Sequence, residues 1–400
     1  MTTIAERLDA LINGEQITAD TCDLIRGRGE NPGDTEGETV RRLATILTRE
    51  GAIVTQQELA PDRPNLRAVW GPEDGPAVVF LGHSDVVPAG EGWTGDPFEP
   101  RVEDGAIIGR GATDMKGGLA AVIAACSALA QERPDLRLEL LCTVDEEDRS
   151  QGVLLALELD EPRPYLACIV AEPTDLDVVI GCRGASNLIV EAIGASAHAG
   201  RPSDGVSAIY AASRVVETVR GLHAAAQLGE RDPLLGTPTW NVGTIEGGSG
   251  TSMVPRVCTL TIDRRTMPGE SPHDILEALL DDVREDLGHA AFDGHERVEL
   301  VGAVDMVMPG FRTDPESPLV HAATRALAEV DVEPRVTGWT AACEGGYMAA
   351  HHGCPTIILG PGDINTQAHQ PDERVEIVDL VAAARAYARI VLQLTDGTAQ

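Results

Sequence analysis

The sequence is poor in positive charge. Its 400 residues contain 31 Lys and Arg against 64 Asp and Glu, which gives a formal net charge of −33. Lys116 is the single lysine, and every other residue in the Lys and Arg count is arginine. Nucleic acid and anionic membranes would repel so acidic a chain. We therefore expect neither a nucleic acid nor a membrane as a partner.

Other familiar signals are also missing. No apolar run has the length of a transmembrane segment, and residues 1–10 mix charged and apolar side chains, unlike a secretory signal. The eight cysteines are scattered singly with no CxxC pair. This spacing is typical of reduced, buried thiols and not of a disulfide framework. These absences favour a cytoplasmic location.

The pattern of apolar residues is that of an α/β domain. Continuous apolar runs occur at 77–81, 136–144 and 167–171, and helical patterns occur at 38–50 and 118–129. Apolar runs separated by helices are typical of parallel strands whose two faces are both covered. We therefore predict a central, mostly parallel sheet flanked by helices.

The α/β pattern is interrupted once. Between 181 and 301, alternating strands combine with two helical patterns, which is typical of a small α+β domain. From 302 onward the α/β pattern resumes with a buried strand and a long amphipathic helix. We therefore predict one domain built from 1–180 and 302–400 and an inserted α+β domain at 181–301.

His83 and Asp85 lie at the end of the predicted strand 77–81. Residues two apart in an extended chain point to the same side. The Asp85 carboxylate can therefore accept the spare imidazole N–H of His83 and leave the other ring nitrogen free for a metal. Taken alone, the pair is weak evidence, because capping and turn roles for Asp are common.

Asp114 lies in a glycine-rich stretch, 109–118, that runs into the predicted buried helix. A carboxylate at the passage from strand to helix occupies the usual place for ligands in open α/β sheets. A helix-capping Asp is the alternative interpretation. A phosphate-binding loop is excluded, because the Walker spacing is absent, the glycines do not fit the dinucleotide fingerprint and Asp114 would repel phosphate.

Four consecutive acidic residues, 145–148, follow the strand predicted at 136–144. Such close carboxylates repel one another unless a cation is present, although a solvated loop can also tolerate them. Glu146 and Glu147 suit a division of labour in which one carboxylate binds a metal and the other acts as a general base on water.

Glu172 and His369 also follow predicted strands of the α/β domain. Because the ends of parallel strands converge on one edge of a sheet, these residues are predicted to meet there with the earlier candidates. The resulting candidate metal ligands are His83, Asp114, Glu147, Glu172 and His369. Two imidazoles and three carboxylates suit zinc, cobalt or manganese and lack the thiolates of a structural zinc site.

These motifs resemble the co-catalytic zinc hydrolases that include acetylornithine deacetylase, succinyl-diaminopimelate desuccinylase, aminoacylase and glutamate carboxypeptidase. The resemblance rests on residues 82–88, 109–118, 146–147, 171–174 and His369. It implies two zinc ions, with cobalt or manganese as alternatives, that share Asp114 between them. It further implies His83 and Glu147 on one ion and Glu172 and His369 on the other.

The resemblance also implies the catalytic roles. Asp85 would orient His83, and Glu146 would be the general base. A water between the two ions would ionise near neutral pH and attack the amide carbon, while Glu146 passes its proton to the departing nitrogen.

The inserted domain is implied to be a lid and dimerisation domain, which makes the protein a homodimer. His198, which alone would suggest a structural role, resembles a histidine that stabilises the tetrahedral oxyanion, commonly in the partner's active site. Arg265 matches an arginine that grips the substrate carboxylate, and Asn241 adds a polar contact. The chain departs from the pattern at Ser252, where relatives often carry Asn, and at Glu344, where Asp is frequent.

The sequence therefore predicts metal-dependent hydrolysis of the amide bond of a small N-acyl amino acid. Within this family, Glu172 in place of Asp favours deacylases and carboxypeptidases over dipeptidases. A carboxypeptidase or dipeptidase acting on a short peptide is the close alternative. A non-catalytic binding protein with a relic metal site is the alternative from another class; it requires a missing ligand or base, and none is missing.

Overall fold

The computed structural model describes residues 2–289 and 298–397. The chain forms two compact units. The first unit consists of Met1–Gly181, Arg312–Gly338 and Glu344–Gln400. The second unit consists of Cys182–Phe311 and Trp339–Cys343.

The first segment of the first unit contains helices around a sheet. The helices are α1 (Ile4–Leu11), α2 (Gly14–Arg26), α3 (Gly37–Arg49), α4 (Gly117–Glu132) and α5 (Gln151–Glu158). The strands are β1 (Ile53–Ala60), β2 (Arg63–Trp70), β3 (Ala77–His83), β4 (Arg101–Glu103), β5 (Ala106–Ile108), β6 (Arg137–Thr143), β7 (Ala167–Val170) and β8 (Val178–Cys182).

The second unit is an antiparallel sheet with two helices against it. Its elements are β9 (Gly184–Ile193), α6 (Ala208–Leu228), β10 (Thr239–Gly247), β11 (Val257–Thr266), α7 (Pro272–His289) and β12 (Glu299–Met308). The strand order is β10-β11-β9-β12. Alternate residues of β9 and β11 are buried together with the inner faces of both helices, so this unit has its own core. The boundary predicted at 301 falls inside β12, because the alternating pattern continues through Met308.

The chain then returns to the first unit. The remaining elements are β13 (Phe311–Arg312), α8 (Pro318–Ala328), β14 (Val336–Trp339), α9 (Gly345–His352), β15 (Thr356–Ile358), β16 (Arg374–Glu376) and α10 (Ile377–Gly397).

The main sheet has the order β1-β2-β6-β3-β7-β15-β8-β13, with β14 paired to β8. Its middle strands, β6, β3, β7 and β15, run parallel to one another, whereas β2 and β8 on either side pair with them antiparallel. Every residue of β3 and β7 is buried, which explains their continuous apolar sequences. The predicted fold class, a mostly parallel α/β sheet with an inserted α+β domain, is confirmed.

A separate, small antiparallel sheet has the order β16-β5-β4. The turn that carries Asp114 follows β5 of this small sheet. The expectation that Asp114 follows a strand of the main sheet is therefore wrong. The strands of the small sheet have three residues each, too few to show a period in the sequence.

Contrary to the expectation that no apolar run is long enough to span a membrane, the stretch Ala112–Glu132, which includes α4, has the length and hydropathy of a membrane-spanning helix. It is the only such stretch in the described part of the chain. Within the protein 94% of its apolar window is buried, as expected of a core helix packed against α10 and α2.

Candidate active site

The parallel strands bring four of the predicted site positions to one edge of the main sheet. His83 is the last residue of β3, Glu146 and Glu147 follow β6, and Glu172 follows β7. His369 lies in the long loop between β15 and β16. Because β6, β3, β7 and β15 are neighbours in the sheet, these side chains come from adjacent strand ends.

Asp114 lies between the two histidines. Its Oδ1 is 3.2 Å from His83 Nε2, and its Oδ2 is 3.3 Å from His369 Nε2. Each carboxylate oxygen therefore contacts a different imidazole. This is the arrangement expected of a carboxylate shared by two neighbouring cations.

Each imidazole also contacts one glutamate. His83 Nε2 is 3.3 Å from Glu172 Oε1, and His369 Nε2 is 3.3 Å from Glu147 Oε2. These contacts join His83 to Glu172 and His369 to Glu147, whereas the resemblance implies His83 with Glu147 and Glu172 with His369 on each ion. Strand order and side-chain direction decide which side chains meet.

The donor set fits a pair of cations. Glu147 Oε1 is buried and has no hydrogen-bond partner, which is costly for a carboxylate oxygen unless a cation binds it. Burial and the nearby Asp114 raise the pKa of Glu172 to about 7. The ligand atoms of His83, Asp114 and Glu147 lie within 4.8 Å of one another, as do those of a second group, His83, Glu146 and Glu172. Crowded buried carboxylates of this kind are stabilised by positive charge.

The same carboxylates raise the pKa values of the two histidines. The pKa of His369 is raised to about 10 by its contacts with Asp114 and Glu147. For His83, burial lowers the pKa, but Glu172 and Asp114 outweigh it and raise the pKa well above its usual value. In both cases the neighbouring carboxylates favour positive charge at this place.

The environment of Glu146 suits a role in proton transfer. Burial of its carboxyl group raises its pKa well above the usual value; the nearby His83 opposes this shift, and Glu172 and Glu147 add to it. A general base in catalysis works best with a pKa near the working pH, and burial beside other carboxylates moves a glutamate in that direction.

Asp85 holds the turn that carries Glu146 and Glu147. Its Oδ1 accepts the backbone N–H of Glu146 at 3.3 Å, and its Oδ2 accepts that of Glu147 at 3.1 Å and the side-chain amide of Asn31 at 2.9 Å. The closest acceptor for His83 Nδ1 is the backbone oxygen of Asp85, at 3.0 Å, and the carboxylate Oδ1 is 3.5 Å away. The predicted carboxylate contact is therefore the longer of the two.

Residues that sequence reasoning missed support this turn from behind. Asn31 also donates to Asp145 Oδ1 at 3.1 Å, and Arg63 Nη2 donates to the same oxygen at 3.0 Å. Arg63 in turn forms a two-point ion pair with buried Glu36. Nothing in the local sequence marks Asn31 or Arg63, because their partners are distant in the chain.

Glu344 is a further buried carboxyl group near the site. Its Oε2 accepts the hydroxyl of Thr143 at 2.6 Å, and its Oε1 is buried without a hydrogen-bond partner. Burial raises the pKa of Glu344 to about 8 despite that hydrogen bond. The sequence marked Glu344 only as a departure from the family pattern.

The three other predicted site residues belong to the second unit. His198 is exposed, and its Nδ1 accepts the backbone N–H of Gly200 at 3.0 Å. Asn241 is exposed on β10, and Arg265 Nε on β11 is 3.2 Å from Asp263 Oδ1. Ser252 accepts a backbone hydrogen bond from Ala199, which pairs its segment with that of His198.

The fold and the donor set define a metal-dependent amidohydrolase. The chain belongs to Peptidase family M20/M25/M40, whose model matches residues 79–393. It is 32% identical over 336 residues to an acetylornithine deacetylase of Edwardsiella ictaluri, covering 83% of this chain and 84% of the relative. It is 30% identical over 384 residues to a succinyl-diaminopimelate desuccinylase of Cereibacter sphaeroides, covering 93% and 97% of the two chains.

Among solved structures, the aminopeptidase PepT from Bacillus cereus has a similar fold. The TM-score is 0.72 at 22% identity, over 96% of this chain and 100% of that one. The predicted family is confirmed by the sequence comparisons, and the solved structure shows the same fold.

Proposed function

We propose that this protein hydrolyses the amide bond of an N-acyl amino acid and releases a carboxylic acid and a free amino acid. The observation that carries the proposal is the position of Asp114 between two imidazoles, each of which also contacts a glutamate. The two relatives named as a deacetylase and a desuccinylase support the choice of an acyl group on an amino acid.

The proposed ligands of two divalent ions, with zinc as the first candidate and cobalt or manganese as alternatives, are His83, Asp114, Glu147, Glu172 and His369. When bound, the ions supply positive charge that polarises the amide carbonyl and makes water more acidic. Asp114, whose two oxygens contact different histidines, would belong to both halves of the ligand set. In the proposed site His83 and Glu172 form one half of the ligand set, and His369 and Glu147 form the other.

Glu146 is the proposed proton shuttle. Its carboxylate takes a proton from the attacking water as the new C–O bond forms, and returns it to the amide nitrogen as the C–N bond breaks. The buried Asp85 carboxylate fixes the backbone of Glu146. The Glu146 side chain therefore keeps its position while it gains and loses the proton.

The second unit is proposed to supply substrate contacts. His198 would donate a hydrogen bond to the oxyanion from Nε2, because its Nδ1 already accepts the N–H of Gly200. Arg265 would exchange Asp263 for the substrate carboxylate, a role that suits the planar fork of guanidinium donors, and Asn241 would add a polar contact. The protein is proposed to act as a homodimer, as the family resemblance implies.

A substrate panel on metal-reconstituted protein tests the proposal. The protein is stripped with a chelator, reloaded separately with zinc, cobalt or manganese, and assayed against N-acetylornithine, N-succinyl-diaminopimelate, other N-acetyl amino acids and dipeptides. We expect the largest kcat/KM for an N-acyl amino acid. A larger kcat/KM for a dipeptide would contradict the deacylase assignment and favour a peptidase.

Two controls accompany the panel. Chelated protein should be inactive until metal is returned. The Glu146→Gln variant should show the same panel at greatly reduced rates, which excludes a contaminating hydrolase.

A further inference from the structure

The turn that carries Asp114 is held by a carboxylate from another loop. Glu373 is fully buried. Its Oε1 accepts two consecutive backbone N–H groups, from Thr113 at 2.9 Å and from Asp114 at 3.0 Å. Its Oε2 accepts Nη1 of Arg110 at 2.6 Å. One side chain thus binds both ends of the turn that leads into Asp114.

The same residue connects this turn to the loop that carries His369. Glu373 follows His369 by four positions and directly precedes β16, which pairs with β5. Its backbone oxygen accepts the N–H of Gly109, the first residue after β5. The small sheet therefore aligns the two loops, and the Glu373 side chain extends that link to the ligand itself.

Arg110 compensates the negative charge of the buried Glu373 carboxylate. It is 2% exposed, and besides Glu373 it contacts the backbone oxygens of Ala89 and Gln370 and lies over the ring of Trp93. A buried carboxylate without a charged partner would be strongly destabilising. Within this pair, both Glu373 oxygens are satisfied, so the carboxylate has a defined position.

The orientation of Asp114 is sensitive to its backbone. Both of its oxygens are in use, one towards His83 and one towards His369, at 3.2 and 3.3 Å. A small rotation of the backbone would move both oxygens and lose at least one of these contacts. The Asp85 carboxylate holds the Glu146 and Glu147 amides in the same manner, so both ligand-bearing turns are fixed through consecutive N–H groups.

We propose that Glu373 is a positioning residue of the metal centre: it sets the backbone of Asp114 and couples it to the loop that carries His369. The inference rests on the metal-binding part of the proposed function. It assigns to Glu373 an effect on metal affinity beyond its contribution to folding.

Titration of metal-free protein with Co²⁺ tests this role, because the visible absorption of bound cobalt reports the geometry of its ligands independently of turnover. The Glu373→Gln variant has a single acceptor oxygen, which cannot serve both the backbone amides and Arg110. We expect a 10–100-fold loss of affinity for at least one cobalt equivalent, the usual effect of removing a group that orients a ligand, together with a changed spectrum.

Glu139→Gln is the matched control. Glu139 is a buried carboxylate in β6 that is likewise paired with arginines, Arg67 and Arg137, but it holds no ligand-bearing turn. We expect this variant to lower the thermal midpoint while it binds Co²⁺ like the wild type. Glu373→Asp keeps the charge next to Arg110 but is shorter by one methylene, so it should fold and still weaken Co²⁺ binding.

The outcomes distinguish a failure of the positioning role of Glu373 from a failure of the proposed metal centre. If wild-type protein binds two equivalents and both Glu373 variants bind them equally well, the positioning role is wrong while the metal centre stands. If wild-type protein binds no Co²⁺, the metal centre and the positioning role both fail. Weaker binding in the Glu373 variants but not in Glu139→Gln supports the proposal.

Discussion

At the scale of single residues, the site combines more carboxylates than its histidines can balance. Asp114, Glu147 and Glu172 contact the two imidazoles, and half-buried Glu146 and buried Glu344 add two more carboxyl groups. Burial raises the pKa of each of these glutamates, which means that the fold places them where ionisation is unfavourable without added positive charge. Such placement is typical of a functional site. It lowers the stability of the folded protein, and interactions in other parts of the fold offset this loss.

Two substitutions separate the ligand role from the base role. We expect Glu146→Gln to keep both metal ions but to lower turnover by a factor of about 10²–10⁴, the usual contribution of a general base. We expect Asp114→Ala to lose metal as well, because it removes the shared ligand. Elemental analysis and kinetics check both.

Asp148→Asn is the control for these variants, since Asp148 is an exposed member of the same acidic run. It should retain both metal and activity. Complete loss of metal in Glu146→Gln would contradict the assignment of Glu146 as the base.

His352 gives the protein a separate sensitivity to acid. Burial and the neighbouring His351 lower its pKa from 6.5 to about 4, and its Nδ1 accepts the backbone N–H of Arg163. The unfolded chain therefore binds a proton at a higher pH than the folded chain. The stabilising contribution is complete above pH 6.5 and is lost as the pH falls towards 4.

We expect His352→Gln to make the free energy of unfolding fall less steeply with pH between 6.5 and 4, as measured by urea unfolding. His321→Gln, at an exposed position of α8, serves as the matched control and should leave the slope unchanged. Equal slopes in wild type and His352→Gln would rule out this contribution.

The sequence predicted the candidate ligands because each follows a recognisable motif, and the structure brings His83, Asp114, Glu147, Glu172 and His369 together. The pairing of glutamates with histidines that the resemblance implies differs from the contacts in the structure, since these depend on strand order and side-chain direction. Glu373 and Asn31 were missed for a related reason: their partners are backbone amides and side chains far away in the chain, which no local spacing reveals.

At the scale of elements, long regular patterns were predicted well. The expected strand at 77–81 corresponds to β3, and the helix expected at 118–129 corresponds to α4. The short strands β5 and β16 were missed, although they align the two loops on which the site depends. Three residues with mixed polarity carry too little periodicity to be recognised, and only long-range pairing makes them strands.

The contact between α4 and the residue that follows β7 is close enough to need glycine. A Cβ at Gly118 would collide with the backbone oxygen of Ala171, the residue before Glu172. We expect Gly118→Ala to destabilise the protein by about 1–3 kcal/mol, the usual cost of overpacking, and to reduce metal affinity because it displaces Glu172.

Gly221→Ala is the matched substitution in α6, where a Cβ would meet nothing within 4 Å. There the gain in helix propensity should stabilise the protein by about 0.5–1 kcal/mol. Chemical denaturation of the two variants makes the comparison. A stabilised Gly118→Ala protein would show that α4 can move away from β7.

At the scale of the whole molecule, the chain leaves the α/β unit at Cys182 and re-enters it at Arg312. It then returns briefly to the second unit at Trp339–Cys343. The sequence indicated the interruption through a change of pattern near 181. It did not reveal the short return, because five residues without a regular period carry no signal of the unit to which they belong.

The net charge of −33 is a property of the whole surface. Mutual repulsion among the excess acidic groups opposes the compact state, and salt screens it over a length of about 10 Å at 0.1 M. We expect the thermal midpoint of the metal-free protein to rise as NaCl is increased from 50 to 500 mM. An equal concentration of a neutral osmolyte controls for solvent effects, and a midpoint that falls with salt would mean that attractive ion pairs dominate.

The pairing of β16 with β5 also has a consequence for biosynthesis. Residues 106–108 have no partner strand β16 until residue 376 has left the ribosome, and His369 emerges only shortly before. Until His369 has been synthesised, the nascent chain therefore displays Asp114, Glu147 and Glu172 without the second histidine. The proposed ligand set is complete, and its loops are aligned, only once residues 369–376 have been added.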